Sequence, residues 1–119
     1  MNGSMDTLEL RQSILHIVAS IPQGKVASYG QVARLCGYSG YARYVGMVLK
    51  QLPSGTTLPW HRVINSRGEI VFPIGSEAHS KPHSLLVKEG VNSENGRISM
   101  RIYGWSAELM SRVNNSSEK

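Results

Sequence analysis

Cys36 is the single thiol of the chain, and a thiolate is the strongest nucleophile that a side chain offers. It stands in Arg34-Leu35-Cys36-Gly37 with no histidine nearby in sequence to take its proton, which is the context of a small buried apolar residue. Four histidines, His16, His61, His79 and His83, are the remaining candidates for acid-base or metal chemistry. The only close pair, His79 and His83, brackets Pro82 in a segment read as loop, so solvated histidines are expected, with no metal and no cofactor. Arg43 is different. Ala42 and Gly46 lie one helical turn apart beside it and leave that face almost without side chains. A helix so stripped could approach a narrow nucleic-acid groove of about 6 Å and let the arginine enter the base stack, or it could simply pack closely on another helix. Tyr29, at the start of a short helix, could press its ring on a phosphate or stack on the core with its hydroxyl in water. The densest chemistry is in Pro59-Trp60-His61-Arg62-Val63, where an indole, an imidazole and a guanidinium follow one another.

The elements that must position these residues are short. Leu10, Ile14, Ile17, Val18 and Ile21 recur at helical spacing from Asp6 to about Ser20, and Pro22 and Gly24 end that helix. Ser28 and Gln31 form a capping-box pattern opening a second helix, with Val32 and Leu35 inward and Gly37 as its stop. Ser39 is expected to cap a third helix from Tyr41 to Gln51, burying Val45, Val48, Leu49 and Leu52 before Pro53. Two helices joined by a glycine-containing turn behind a supporting helix make a helix-turn-helix, with Tyr41 to Gln51 in the recognition position. Trp60 to Ile64, the turn Asn65-Ser66-Arg67-Gly68 and Glu69 to Phe72 read as a hairpin resembling a wing. Pro73 to Ser80 reads as loop, Pro82 opens a helix to Glu89 that Gly90 stops, and the alternation of Ile98, Met100 and Ile102 reads as a strand. The fold class expected is mainly α with a small β hairpin, a winged helix-turn-helix-like DNA-binding domain.

With 119 residues there is room for one core, placed at residues 5–105 with a polar tail at 106–119. Charge then narrows the partner. Between Leu10 and Gly68 stand seven basic residues, Arg11, Lys25, Arg34, Arg43, Lys50, Arg62 and Arg67, and no acidic one, while the rest of the chain has six basic against eight acidic. A solvated face would carry both signs, so polyanion binding is favoured. Long polar side chains for reading the major groove are missing from Tyr41, Ala42, Gly46 and Met47, which argues against a generic helix-turn-helix regulator. No apolar run is long enough to span a bilayer and no secretory leader is visible. An intracellular monomer is expected, cytoplasmic in a bacterium or nuclear in a eukaryote.

Ile21-Pro-x-Gly-x-Val-x-Ser-Tyr-Gly30, Ala42-Arg43-x-Val-Gly46 and Pro59-x-His61-Arg62-Val63 together resemble the DNA-binding, active-site domain of the alkylguanine-DNA alkyltransferases. The resemblance continues through Asn65, Gly68 and Leu85-Leu86-x-x-Glu89-Gly90. In those enzymes a cysteine between the proline and the histidine accepts the alkyl group, and here Trp60 stands there. An indole neither ionises nor attacks at neutral pH, so the resemblance implies the alkyltransferase-like proteins, which flip an O6-alkylguanine into the pocket, leave it intact and recruit nucleotide excision repair. It implies DNA contacts from Tyr29, Gly30, Gln31, Tyr41, Ala42, Arg43 and Gly46, with Arg43 the finger that replaces the flipped base and Tyr29 turning its phosphate. It also implies a lesion pocket of Tyr29, Trp60, His61, Arg62, Val63, Ser66 and Pro73, and a structural pair of His61 with Glu89 that has no nucleophile to activate. An alkyltransferase using Cys36 is the enzymatic alternative. Tyr41, Tyr44, Leu52 and Pro73 depart from the enzyme pattern, in the direction of a roomier site.

Overall fold

A computed structural model describes residues 7–53, 55–70 and 77–106 of the chain. Helix α1 (Thr7–Ser20) buries Leu10, Ile14 and Val18, one residue per turn, with Ile21 just past its end. Gly24, at φ 85°, then turns the chain into the two-residue strand β1 (Ala27–Ser28). Ser28 caps α2 (Tyr29–Leu35), its Oγ accepting from Gln31 N at 3.0 Å. Only half of the capping box forms, because the Gln31 amide donates to the Trp105 carbonyl at 2.9 Å. Helix α3 (Ala42–Lys50) buries Val45, Val48 and Leu49 as expected, but its N-cap is Tyr41 and no side chain caps it. Gly40, at φ 91°, places a left-handed turn between Ser39 and the helix, so Ser39 does not cap it.

The expected wing is not a simple hairpin. Trp60–Arg62 form one 3-10 turn, and strand β2 (Val63–Ile64) pairs in parallel with β1, Ala27 opposite Val63 and Ser28 opposite Ile64. The turn itself does form, with Asn65 N donating to the Glu69 carbonyl and Gly68 N to the Asn65 carbonyl, each at 3.0 Å. Val63 and Ile64 are both buried, so they take the inner partner β1 instead of pairing outward with the segment after Glu69. Residues 71 and 72 of the expected hairpin lie outside the described residues, as does Pro73. Gly68 sits at φ 84° where a Cβ would collide with the Ile98 carbonyl oxygen, which makes glycine obligatory there.

Helix α4 (Glu77–Lys88) starts five residues before the expected Pro82, so His79 and His83 stand in a helix rather than a loop. Pro82 sits in its interior, buried, and burial of Pro82 and Leu86 one turn apart offsets the missing N–H. Asn95-Gly96, both at positive φ, turn β3 (Ser93–Glu94) back on β4 (Arg97–Ile98). Asn-Gly is the strongest short hairpin signal, and it was visible in the sequence. The strand expected through Met100 and Ile102 is instead helix α5 (Met100–Tyr103), because the Ser99 hydroxyl accepts from Ile102 N at 3.3 Å and ends the extended run. After α5, Tyr103 O accepts from Val26 N at 2.9 Å and Trp105 N donates to Val26 O at 2.8 Å.

Two apolar clusters result, and the small parallel sheet divides them. Ala27 and Val63 point into the cluster built by α1, α2 and α3, while Val26 and Ile64 point into that of Leu86, Val91 and Ile98. Among the described residues no helix is long and apolar enough to cross a membrane.

Candidate nucleic-acid interface

Along α3 runs one open groove of about 600 Å³, lined by Tyr29, Gly30, Ala42, Arg43, Gly46, Met47, Lys50, Asn65 and Ser66. Three elements converge to make it: the first turn of α2, one face of α3, and the turn after β2. Arg43 and Lys50 are exposed on it, and no acidic side chain lines it among the described residues. An anion therefore meets two cations and no repulsion. Tyr29 is packed against the first core cluster and also lines the groove. Burial pushes the phenol pKa up, which keeps the hydroxyl protonated and able to donate to a phosphate oxygen.

A Cβ on Gly46 would lie 3.8 Å from Tyr29 Cε1 on the first residue of α2, an ordinary contact that leaves room for a methyl group. Glycine inside a helix costs roughly 0.5 to 1 kcal/mol relative to alanine, so packing does not account for it. Gly46→Ala is accordingly expected to fold with stability unchanged or raised by about that amount, and to bind duplex DNA roughly tenfold more weakly, because the added methyl keeps the backbone out of the groove. Thermal melts together with a duplex titration check this, and unimpaired binding would refute the close approach.

A separate ionic cluster centres on Glu89. Glu89 Oε2 accepts from His61 Nε2 at 2.9 Å and from Arg62 Nη2 at 2.7 Å, and Oε1 accepts from Gly24 N at 3.1 Å and Arg62 Nε at 3.0 Å. Arg62 Nη1 also donates to the Ile21 carbonyl at 2.8 Å. Burial alone would raise the Glu89 pKa, but the hydrogen bonds from Arg62, His61 and Gly24 outweigh it and lower it to about 2. The carboxylate ties α4 to the 3-10 turn and to the loop after α1, which fixes the backbone from Trp60 to Val63.

Of the expected contact residues, Tyr29, Gly30, Ala42, Arg43 and Gly46 line the groove together. Gln31 is 7% exposed and bonded to Trp105, so its side chain is a framework group and not a surface contact. Tyr41 is exposed beside the groove, edge-on to Tyr38 and Tyr44 with centroids 5.4 and 6.4 Å away. The expected pocket is only partly assembled. Ser66 joins Tyr29 on the groove wall, but His61 and Arg62 turn inward to Glu89, Val63 is buried, and Trp60 is half-buried against the first core cluster. Met47, Lys50 and Asn65 also line the groove and are not among the contact residues expected from sequence. The first two follow Arg43 on the same helix face, four and seven residues on, a spacing that could have found them. Cys36 lies in a separate cleft that also holds Glu9 and His16, where burial pushes the thiol pKa up and away from the thiolate form. Among the described residues no three potential metal ligands come together.

A supporting helix, a helix-turn-helix and a cationic groove along the second helix define a DNA-binding domain. Residues 9–91 match the family model described as "6-O-methylguanine DNA methyltransferase, DNA binding domain". The chain belongs to this family, as one of its alkyltransferase-like members. It is 44% identical over 93 residues to the DNA base-flipping protein of Vibrio parahaemolyticus, covering 77% of this chain and 91% of that protein. It is 43% identical over 83 residues to alkyltransferase-like protein 1 of Schizosaccharomyces pombe, covering 70% of this chain and 77% of that one. The crystal structure of S. pombe Atl1 in complex with damaged DNA containing O6-carboxymethylguanine superposes with a TM-score of 0.77 at 37% identity, over 86% of this chain and 99% of that one.

Proposed function

We propose that this chain binds duplex DNA carrying an O6-alkylated guanine from the minor-groove side, turns the damaged nucleotide out of the stack, performs no chemistry on it, and presents the complex to nucleotide excision repair. The observation that carries this reading is Arg43 standing beside a groove whose helical wall, Ala42 and Gly46, has almost no side chains. Flipping costs a few kcal/mol, least for a base that already pairs badly, so a protein that stabilises the flipped state favours the lesion over intact guanine. Arg43 fills the vacated stack and Tyr29 holds the rotated phosphate. With Trp60 in the nucleophile's position, the ring offers apolar surface to the alkyl group and no electron pair to attack it. Opening of a pocket beside Trp60 and Ser66 accompanies binding, and the Glu89 cluster holds the Trp60 to Val63 backbone in place for the base edge.

Cys36 does not support the enzymatic alternative, since it opens on a different cleft from the groove and is held as a thiol. Excision-repair recruitment rests on the same logic, because a sensor without chemistry needs a partner to remove the damage. The test is titration of one duplex with a single O6-methylguanine against its unmodified twin at fixed salt, followed by mass analysis. Tighter binding to the lesion with both masses unchanged is the expected result. Equal binding overturns the sensor reading, and a methyl group gained by the protein makes it an enzyme.

A further inference from the structure

Beyond Arg43 and Gly46, the groove wall carries one side chain whose exposure is unexplained by folding. Met47 is 44% exposed and lines the groove, one helical turn after Arg43 and three residues before Lys50. An exposed methionine between two cations adds nothing to the core, whose α3 contribution is Val45, Val48 and Leu49. Its position suits a polyanion with apolar edges, since phosphates meet Arg43 and Lys50 while the thioether meets sugar and base between them. From these observations we infer that Met47 is a second wedge: it enters the minor groove beside the Arg43 finger and loosens the stacking of a neighbouring base step. This inference rests on the damage-binding reading above.

The geometry sets where the wedge acts. Four residues of helix advance roughly 6 Å, and base pairs rise about 3.4 Å, so Met47 meets the duplex one or two steps from the flipped nucleotide. Its long, unbranched side chain adapts to that step without a defined pocket. With Arg43 in the gap and Met47 one or two steps to one side of it, part of the stabilisation of the flipped state comes from Met47. Lys50 contributes charge alone, so its removal lowers affinity for damaged and intact duplex equally and makes binding less salt-dependent.

The experiment uses the full chain with Met47→Ala and Met47→Leu, both at an exposed position, on the O6-methylguanine duplex and its unmodified twin. A 2-aminopurine is placed one or two steps to either side of the lesion in separate duplexes. The wild type is expected to raise 2-aminopurine fluorescence on one side. Met47→Ala should bind the lesion duplex roughly fivefold more weakly and lose most of that fluorescence gain, while Met47→Leu, similar in size and apolarity, keeps both. Unchanged affinity and fluorescence in Met47→Ala would overturn the wedge while leaving the damage-binding reading intact. Equal binding of the wild type to both duplexes would instead overturn the damage-binding reading, and the wedge with it.

Discussion

Arg43→Ala is expected to erase the preference for O6-alkylguanine duplex, weakening lesion binding about 30- to 100-fold and changing binding to intact duplex far less. The size follows from what the side chain replaces. A flipped nucleotide leaves two base pairs without a stacking neighbour, and reclosing is opposed only by whatever fills the gap, at stakes of a few kcal/mol. Arg43 is exposed in the free protein, so its removal leaves folding within roughly 0.5 kcal/mol of the wild type. Loss of preference with an unchanged melting temperature therefore isolates the finger. Arg43→Lys separates its two contributions, since lysine keeps the charge but lacks the planar guanidinium that stacks on bases. Intermediate preference is expected from it. Titration of all three proteins on the paired duplexes at one salt concentration checks this, and a preference that survives in the alanine variant would rule out the finger role.

Glu89→Gln is expected to cost about 3 kcal/mol of stability and lower the melting temperature by roughly 10 to 20 °C. Glu89 is 11% exposed and faces Arg62, itself 16% exposed, at 2.7 Å. Removing the carboxylate leaves the Arg62 guanidinium without a counter-charge in a largely dry site, and a glutamine of equal volume cannot supply one. The pH dependence has a fixed sign. The folded-state pKa is about 2 against an ordinary 4.5, so the stabilisation is complete above about pH 5 and disappears as pH falls from 4.5 toward 2. The wild type should therefore lose stability steeply on acidification, and Glu89→Gln less steeply across the same window. Glu69 adds a smaller contribution of the same sign, its pKa lowered by the Asn65 side chain despite some desolvation and by Arg67 and Arg97. Melts of both proteins between pH 2 and 7 decide the matter, and parallel pH profiles would mean that the cluster does not hold the turn. With stability restored by low temperature, weakened lesion binding in Glu89→Gln would tie the cluster to presentation of the Trp60 to Val63 backbone.

Much of the frame was legible from local signals. The i, i+4 recurrence of Leu10, Ile14 and Val18, the Ser28 cap, the glycine stops at Gly24 and Gly37 and the buried set of α3 are all short-range effects, and the structure follows them. Failures occurred where a distant partner overrode the local preference. Gln31 looked like a capping or surface residue, but Trp105, 74 positions later, supplies a carbonyl that draws its amide inward. Val63 and Ile64 read as one arm of a hairpin until β1 provided a buried partner on the other side. Met100 and Ile102 alternate like a strand, yet the chain must turn after Ile98 to carry Tyr103 and Trp105 back to Val26. Pro82 reads as a helix start by local rules, but its buried place within α4 depends on packing, which no local rule contains.

The sequence by itself determined the chemistry open to this protein: one thiol and no other, an indole between a proline and a histidine, a stretch from Leu10 to Gly68 without carboxylates, and an arginine beside two residues with almost no side chain. Those are properties of residue type and spacing, and folding cannot add a nucleophile or remove a charge. Tertiary structure alone decided which of these groups act together. It turned Arg62 and His61 inward onto Glu89, set Cys36 in a cleft of its own, and joined Tyr29 to α3 across the Gly46 face. The physical reason is burial: a guanidinium takes the side that offers a carboxylate and a carbonyl, and a tyrosine ring takes the side that offers apolar cover. Both choices depend on neighbours that lie tens of residues away in the chain.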